Sequence, residues 1–182
     1  SVSPNNNPMS QMLARNALAL ISRSLLTAVE SGDVLTARSQ MLLGSMFAGQ
    51  SFANSPVAAV HALAYPLGGH FKIPHGLSNA LVLPHVLRFN SKTAPEPYAE
   101  IAPFAFPELV GLQGQDRAEA FCEKLAELST ACGLQQSLRE MNIPRDNLPA
   151  LASDAMNQTR LLVNNPREIT EIDALAIYNS AY

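Results

Sequence analysis

The chain has 182 residues, of which 47% are hydrophobic and 15% charged. That balance supports one domain with a packed core, and it excludes both disorder and a charge-rich coiled coil. Lysine and arginine total 12 against 15 acidic residues, a net charge of -3, so the basic footprint of a nucleic-acid-binding protein is missing.

Residues Ser1 to Pro8 make a polar, turn-like opening with no basic region followed by an apolar one, which predicts no signal peptide. An opening of this kind, without an initiator methionine, is expected of a chain that begins partway through a larger protein. From Ser10 to Ser31, apolar side chains at Met12, Leu13, Leu18, Leu20, Ile21, Leu25, Leu26 and Val29 recur at offsets of three and four, the period of an amphipathic helix. Gly32 and Asp33 break it, and Asp33 is placed to cap a second helix running to about Asn54.

Pro56 opens a third helical segment, Val57 to about Tyr65. The stretch Pro66 to Pro74 holds two prolines and two glycines and is not expected to continue as regular helix. Helix is predicted again from His75 or Gly76 to about Asn90, from Tyr98 to Phe106, and from Arg117 to Cys132 with Gly133 as its stop. Leu148 to Met156 and Glu171 to Ala181 close the chain. No convincing strand alternation appears, so the fold class is all-α, a helical bundle-like domain. The longest apolar runs, Val57 to Ala64 and Ala80 to Pro84, fall far short of the roughly 20 residues of a membrane helix. Neither GxGxxG nor a P-loop is present to cradle a dinucleotide pyrophosphate.

Cys122 and Cys132 are the only cysteines. On one helix they would stand roughly 15 Å apart, too far for a disulfide, and two reduced thiols suit a reducing cytoplasm.

The strongest chemical signal is the clustering of all four histidines, His61, His70, His75 and His85, within 25 residues. On an unbroken helix His61 and His75 would lie roughly 21 Å apart, whereas ligands of one metal sit about 2.1 Å from it. Convergence therefore needs the chain to turn back, and Pro66, Gly68, Gly69 and Pro74 supply the break. His85 follows Pro84 in an apolar segment and reads as a structural or channel histidine, and His70 as a solvated or hydrogen-bonding one. Two histidines do not by themselves complete a metal site.

The run from Val60 to Ala80, with His61 and with Pro74-His75-Gly76 fourteen residues on, resembles the signature of the iron-containing (group III) alcohol dehydrogenases. The resemblance extends upstream through Ala48 to Asn54 and downstream through Leu83 to Asn90 and Asn164-Asn165-Pro166-Arg167, and so covers essentially the whole chain. It implies that residues 1–182 are the helical, metal-binding C-terminal domain of a dehydroquinate synthase-like fold. The α/β domain that binds NAD or NADP would be absent from this chain.

It further implies that His61 and His75 bind a divalent metal, iron or zinc, which polarises the oxygen of a small alcohol or aldehyde during hydride transfer. The family's other two ligands, an Asp and a His four residues apart, precede the segment that matches this one, so the fragment alone is expected to be inactive. Tyr65 replaces a histidine that many members carry as a proton relay. A phenol keeps a hydroxyl donor but, unlike imidazole, does not titrate near neutrality. Phe52 and Leu161 match positions that line the substrate pocket. Members often form dimers or larger assemblies, so a homo-oligomer is possible. The rival reading is a non-catalytic helical assembly module.

Overall fold

The computed structural model describes residues 7–182, and the turn-like opening at residues 1–6 lies outside them. The first helix, α1 (Pro8–Glu30), starts from a capping box in which the Asn7 side chain accepts from the Ser10 amide and the Ser10 hydroxyl accepts from the Asn7 amide, each at 3.0 Å. These contacts satisfy two of the donors that a helix start leaves orphaned. With 23 residues and a mean hydropathy of 1.2 over an 18-residue stretch, α1 is long and apolar enough to cross a bilayer by those measures alone. It contains no unbroken apolar run of that length, because serines and arginines interrupt it. In the fold α1 forms a hairpin with α2 (Leu35–Asn54) and leans on α5 (Glu96–Ala105). The hairpin closes at Gly44, where an added Cβ would meet Ile21 Cγ1 at 2.7 Å.

Asp33 does not cap α2 as expected. The N-cap is Val34, with no side-chain bond, and the turn is held by backbone bonds from Ser31 to Thr27 and from Val34 to Ser31.

The break expected at Pro66 to Gly69 also does not occur there. Helix α3 runs unbroken over Ala59–Phe71, with Pro66 inside it. Proline forfeits one bond, to the carbonyl four residues back, but this stretch is buried: Ala62, Leu63, Ala64, Pro66 and Leu67 all face the core. Packing outweighs the local penalty, and the Tyr178 hydroxyl donates to the Leu63 carbonyl at 2.6 Å. The chain turns later, at Lys72, whose left-handed φ of 59° ends the helix. There the Lys72 amide donates to Gly68 at 3.1 Å and its ammonium to Gly69 at 3.0 Å.

Helix α4 (His75–Ser91) follows at once and carries Pro84 in its interior. The remaining elements are α5, a 3-10 turn at Pro107–Gly111, α6 (Gly114–Ala131), a 3-10 turn at Arg145–Asn147, α7 (Leu148–Ala155), the short α8 (Thr159–Leu162) and α9 (Glu171–Ser180). Gly133, at φ 74°, takes the left-handed conformation just past α6 that was read as a stop signal. Among the described residues there is no strand, and the all-helical reading holds.

Two apolar clusters share α4. Leu81, Val82 and Val86 join α3, α7 and α9, where Leu63, Leu67, Leu151 and Tyr178 are sealed from solvent. Leu87 points instead toward α5 and α6, against Tyr98, Phe121 and Cys122. Cys122 and Cys132 are both free thiols.

Candidate metal centre

The turn at Lys72 to Pro74 folds α4 back beside α3, and the two ligand candidates are brought together by it. The His61 ring, from the first turn of α3, lies with its centre 5.3 Å from that of His75, the first residue of α4. Two imidazoles bound to one tetrahedral cation have ring centres roughly 5 Å apart, given nitrogen–metal distances of about 2.1 Å. The observed spacing therefore fits a shared divalent ion. Among the described residues no group of three or more His, Cys, Asp or Glu side chains stands ready for a metal, so an ion shared by this pair would need further ligands.

His61 is half-buried, and burial first, then the neighbouring His75, lowers its pKa below the ordinary histidine value. The ring is thereby kept as a neutral lone-pair donor, the form a metal requires. His75 is exposed and is steadied by Asn79, one helical turn on. The Asn79 amide donates to the His75 carbonyl at 2.8 Å and stands 3.2 Å from its Nε2, while Asn79 Oδ1 is buried without a partner. Sequence reasoning overlooked Asn79. Its spacing of four from His75 within one helix was the available signal.

Tyr65, four residues after His61 on the same helix face, completes the cluster. Its ring centre lies 6.5 Å from that of His61 and 6.1 Å from that of His75, and the side chain is exposed. The other two histidines stand outside. His70 pairs with Asp154 at 2.9 Å, tying α3 to α7, and that bond holds the Asp154 carboxyl below its usual range. His85 meets the Ser180 hydroxyl at 2.9 Å, tying α4 to α9. Both rings serve as helix-to-helix links.

Next to the histidine pair is a cavity of about 640 Å³, with His61, Asn79 and Phe52 in its wall. Phe52 reaches it from α2 and is otherwise largely exposed. Leu161, on α8, is partly buried against the larger core cluster and is not among the residues that line this space.

The described residues form a helical domain that presents two close imidazoles from consecutive helices beside an apolar cavity. The family described as "Fe-containing alcohol dehydrogenase family, C-terminal" matches residues 1–182, and the chain belongs to it. It is 36% identical over 181 residues to the 1,3-propanediol dehydrogenase of Citrobacter freundii, covering 100% of this chain and 46% of that protein. It is 40% identical over 185 residues to long-chain-alcohol dehydrogenase 1 of Geobacillus thermodenitrificans, again 100% of this chain and 46% of the relative. Among solved structures, a 1,3-propanediol oxidoreductase superposes with a TM-score of 0.95 at 36% identity, over 100% of this chain and 47% of the other. The chain thus spans about half the length of the curated relatives it matches.

Proposed function

We propose that this chain is the metal-binding half of an NAD(P)-linked alcohol dehydrogenase or aldehyde reductase, with His61 and His75 as two ligands of a divalent cation, iron or zinc. The observation that carries the reading is the 5.3 Å approach of the two imidazoles from separate helices. Such a cation, when bound, polarises the oxygen of an alcohol or carbonyl as a Lewis acid and eases hydride transfer to or from nicotinamide.

The chain's own residues do the rest of what this half can do. His61 and His75 present their ring nitrogens. Asn79 fixes the orientation of the His75 ring, as outer partners of metal ligands do. Tyr65 offers a hydroxyl within the cluster that can donate or accept a hydrogen bond at the substrate oxygen and pass its proton toward solvent. Phe52 screens one wall of the pocket from water. The described residues contain no strand, hence no βαβ unit for a pyrophosphate. Binding of NAD or NADP therefore falls to a further α/β domain, and residues 1–182 on their own are inactive. Cytoplasmic residence, a small alcohol or aldehyde as substrate and homo-oligomeric assembly complete the reading.

The test is metal content and NAD(P)-dependent alcohol oxidation of the complete encoded protein, beside its His61→Ala and His75→Ala variants. Each variant is expected to lose bound iron or zinc and at least a hundredfold in turnover while its circular dichroism stays helical. Full turnover in both variants would overturn the assignment.

A further inference from the structure

Helix α2 buries a single column of residues, Ala37, Gly44 and Ser51, spaced by seven. Among the described residues α1 is its only substantial helix neighbour. A surface helix ordinarily turns polar side chains away from the body it packs on, but α2 has one charged residue, Arg38, among its 20, and its far side is apolar. At about 100° per residue, Leu35, Leu42 and Met46 lie within roughly 20° of the direction opposite Gly44. They are 75%, 75% and 48% exposed, and Leu43 beside them is exposed as well.

This face has a repeat as well as a composition. Leu35, Leu42 and Gly49 recur every seven residues, and so do Ser39, Met46 and Ala53, offset by four, which are the two columns of a coiled-coil seam. Laid antiparallel on a second copy, with the twofold axis opposite Gly44, the seam is complementary to itself. Leu42 meets Met46 of the second copy beside the axis, Ser39 meets Gly49 where the backbones come close, and Leu35 fills the space over Ala53. The reverse contacts follow by symmetry. The two Arg38 charges then stand roughly 20 Å apart along the axis, whereas a parallel pair would bring them face to face, with repulsion to overcome.

We infer that the outer face of α2 is an interface between two copies of this protein, paired antiparallel about a twofold axis. The inference rests on the homo-oligomeric part of the proposed reading, to which it gives a surface, and is independent of the metal assignment. An isologous contact of this kind closes at two copies and leaves no apolar face over for a third. A pair of helices about 30 Å long lies at the small end of stable interfaces, so the association is reversible and depends on concentration.

Sedimentation of the encoded protein from submicromolar to high-micromolar concentration should show the association. The double variant Leu42→Glu, Met46→Glu brings four carboxylates to the axis and should weaken it by roughly tenfold or more. Both positions are exposed, so its urea midpoint and its metal uptake should match the wild type. In a Cys132→Ser background, Ser45→Cys lies beside the axis, and a short bismaleimide should join it to its twin, while Arg38→Cys should stay unlinked. A monomer at every concentration sinks both this contact and the homo-oligomeric reading. Oligomers that the double substitution leaves unchanged sink this contact alone, and linkage at Arg38→Cys overturns the antiparallel arrangement. A fall in the variant's urea midpoint, with no linkage at Ser45→Cys, means that another segment of the same molecule covers α2, which also overturns the inference.

Discussion

Helix α4 carries a polar cluster at each end, and the two are built on opposite terms. At its C-terminal end Asn90, Asn165 and Tyr98 are buried and bonded to one another: the two amides exchange hydrogen bonds at 2.9 and 2.8 Å, and Asn90 donates to the Tyr98 hydroxyl at 3.0 Å. Burial pushes the Tyr98 phenol well above the usual tyrosine range, so it stays neutral there. Arg167 finishes the cluster, donating to the Phe89 carbonyl at 3.0 Å with its guanidinium 3.7 Å from the Phe89 ring centre. At the N-terminal end, His75 and Tyr65 face solvent, His61 is half-buried, and among the described residues the only side-chain hydrogen-bond partner of the pair is Asn79. A buried polar group must be satisfied by the protein itself, so the first cluster has no capacity to spare and can only hold the fold. The second has capacity left over, which is what a ligand needs.

That contrast breaks most sharply at Asn165. Replacing it with leucine removes two hydrogen bonds to Asn90 and one to the Arg167 carbonyl, leaving buried groups unsatisfied at a cost of about 3 kcal/mol. Urea denaturation of Asn165→Leu should show that loss, while the metal affinity of the molecules that remain folded stays the same. A loss below about 0.5 kcal/mol, the ordinary scale of a surface change, would mean that the sealed network is not structural.

His85 is an intermediate case that sharpens the comparison. It has one partner, Ser180, and burial, then the nearby Arg88 charge, lower its pKa to about 4, against a smaller opposing pull from Glu123. The unfolded chain takes up a proton near the ordinary value of about 6.5, while the folded chain resists until about pH 4. Stability from this group is therefore intact above pH 6.5 and falls progressively as the pH drops toward 4. The full shift would correspond to more, but His85 is partly exposed, and solvent screening brings the expected loss to about 1–2 kcal/mol. Denaturation midpoints of the wild type and His85→Gln at pH 7, 5.5 and 4 measure it. The variant's pH dependence should be flatter, and equal slopes would rule out His85 as the source.

The sequence was most readable where one residue type has one physical meaning. Helical periodicity in 10–31 and 171–181, and Gly133 after a helix, placed those elements to within a few residues, because burying an apolar stripe leaves few alternatives. The fourteen-residue spacing within the Pro-His-Gly signature picked out His61 and His75 as a pair. Pro66 misled, since its local penalty was weighed without the tertiary burial that carries α3 through it. Asp33 misled too: a capping residue one position too early cannot reach the helix amides. Asn79 stayed hidden because it is not unusual as a residue. It acquires a role only when α4 folds back beside α3.

The smallest expected effect on stability is also the one that most directly separates the two clusters. His75 is exposed, and beyond the Asn79 contacts no bond among the described residues fixes its ring, so His75→Ala should change the free energy of unfolding by no more than about 0.5 kcal/mol, the range of ordinary surface substitutions. Its effect on divalent-ion uptake should be large in proportion. Losing an outer partner of a ligand commonly costs about 10–100-fold in affinity, and removing the ligand itself should cost at least that. Asn79→Ala should fall in the 10–100-fold range, because His75 keeps its nitrogen but loses the group that orients it. Zinc titration of the encoded protein and both variants, beside their urea midpoints, gives the two axes. If His75→Ala binds zinc like the wild type, the imidazole pair is not a metal centre. If it loses several kcal/mol of stability, the open end of α4 serves the fold as the sealed end does, and the contrast between them fails.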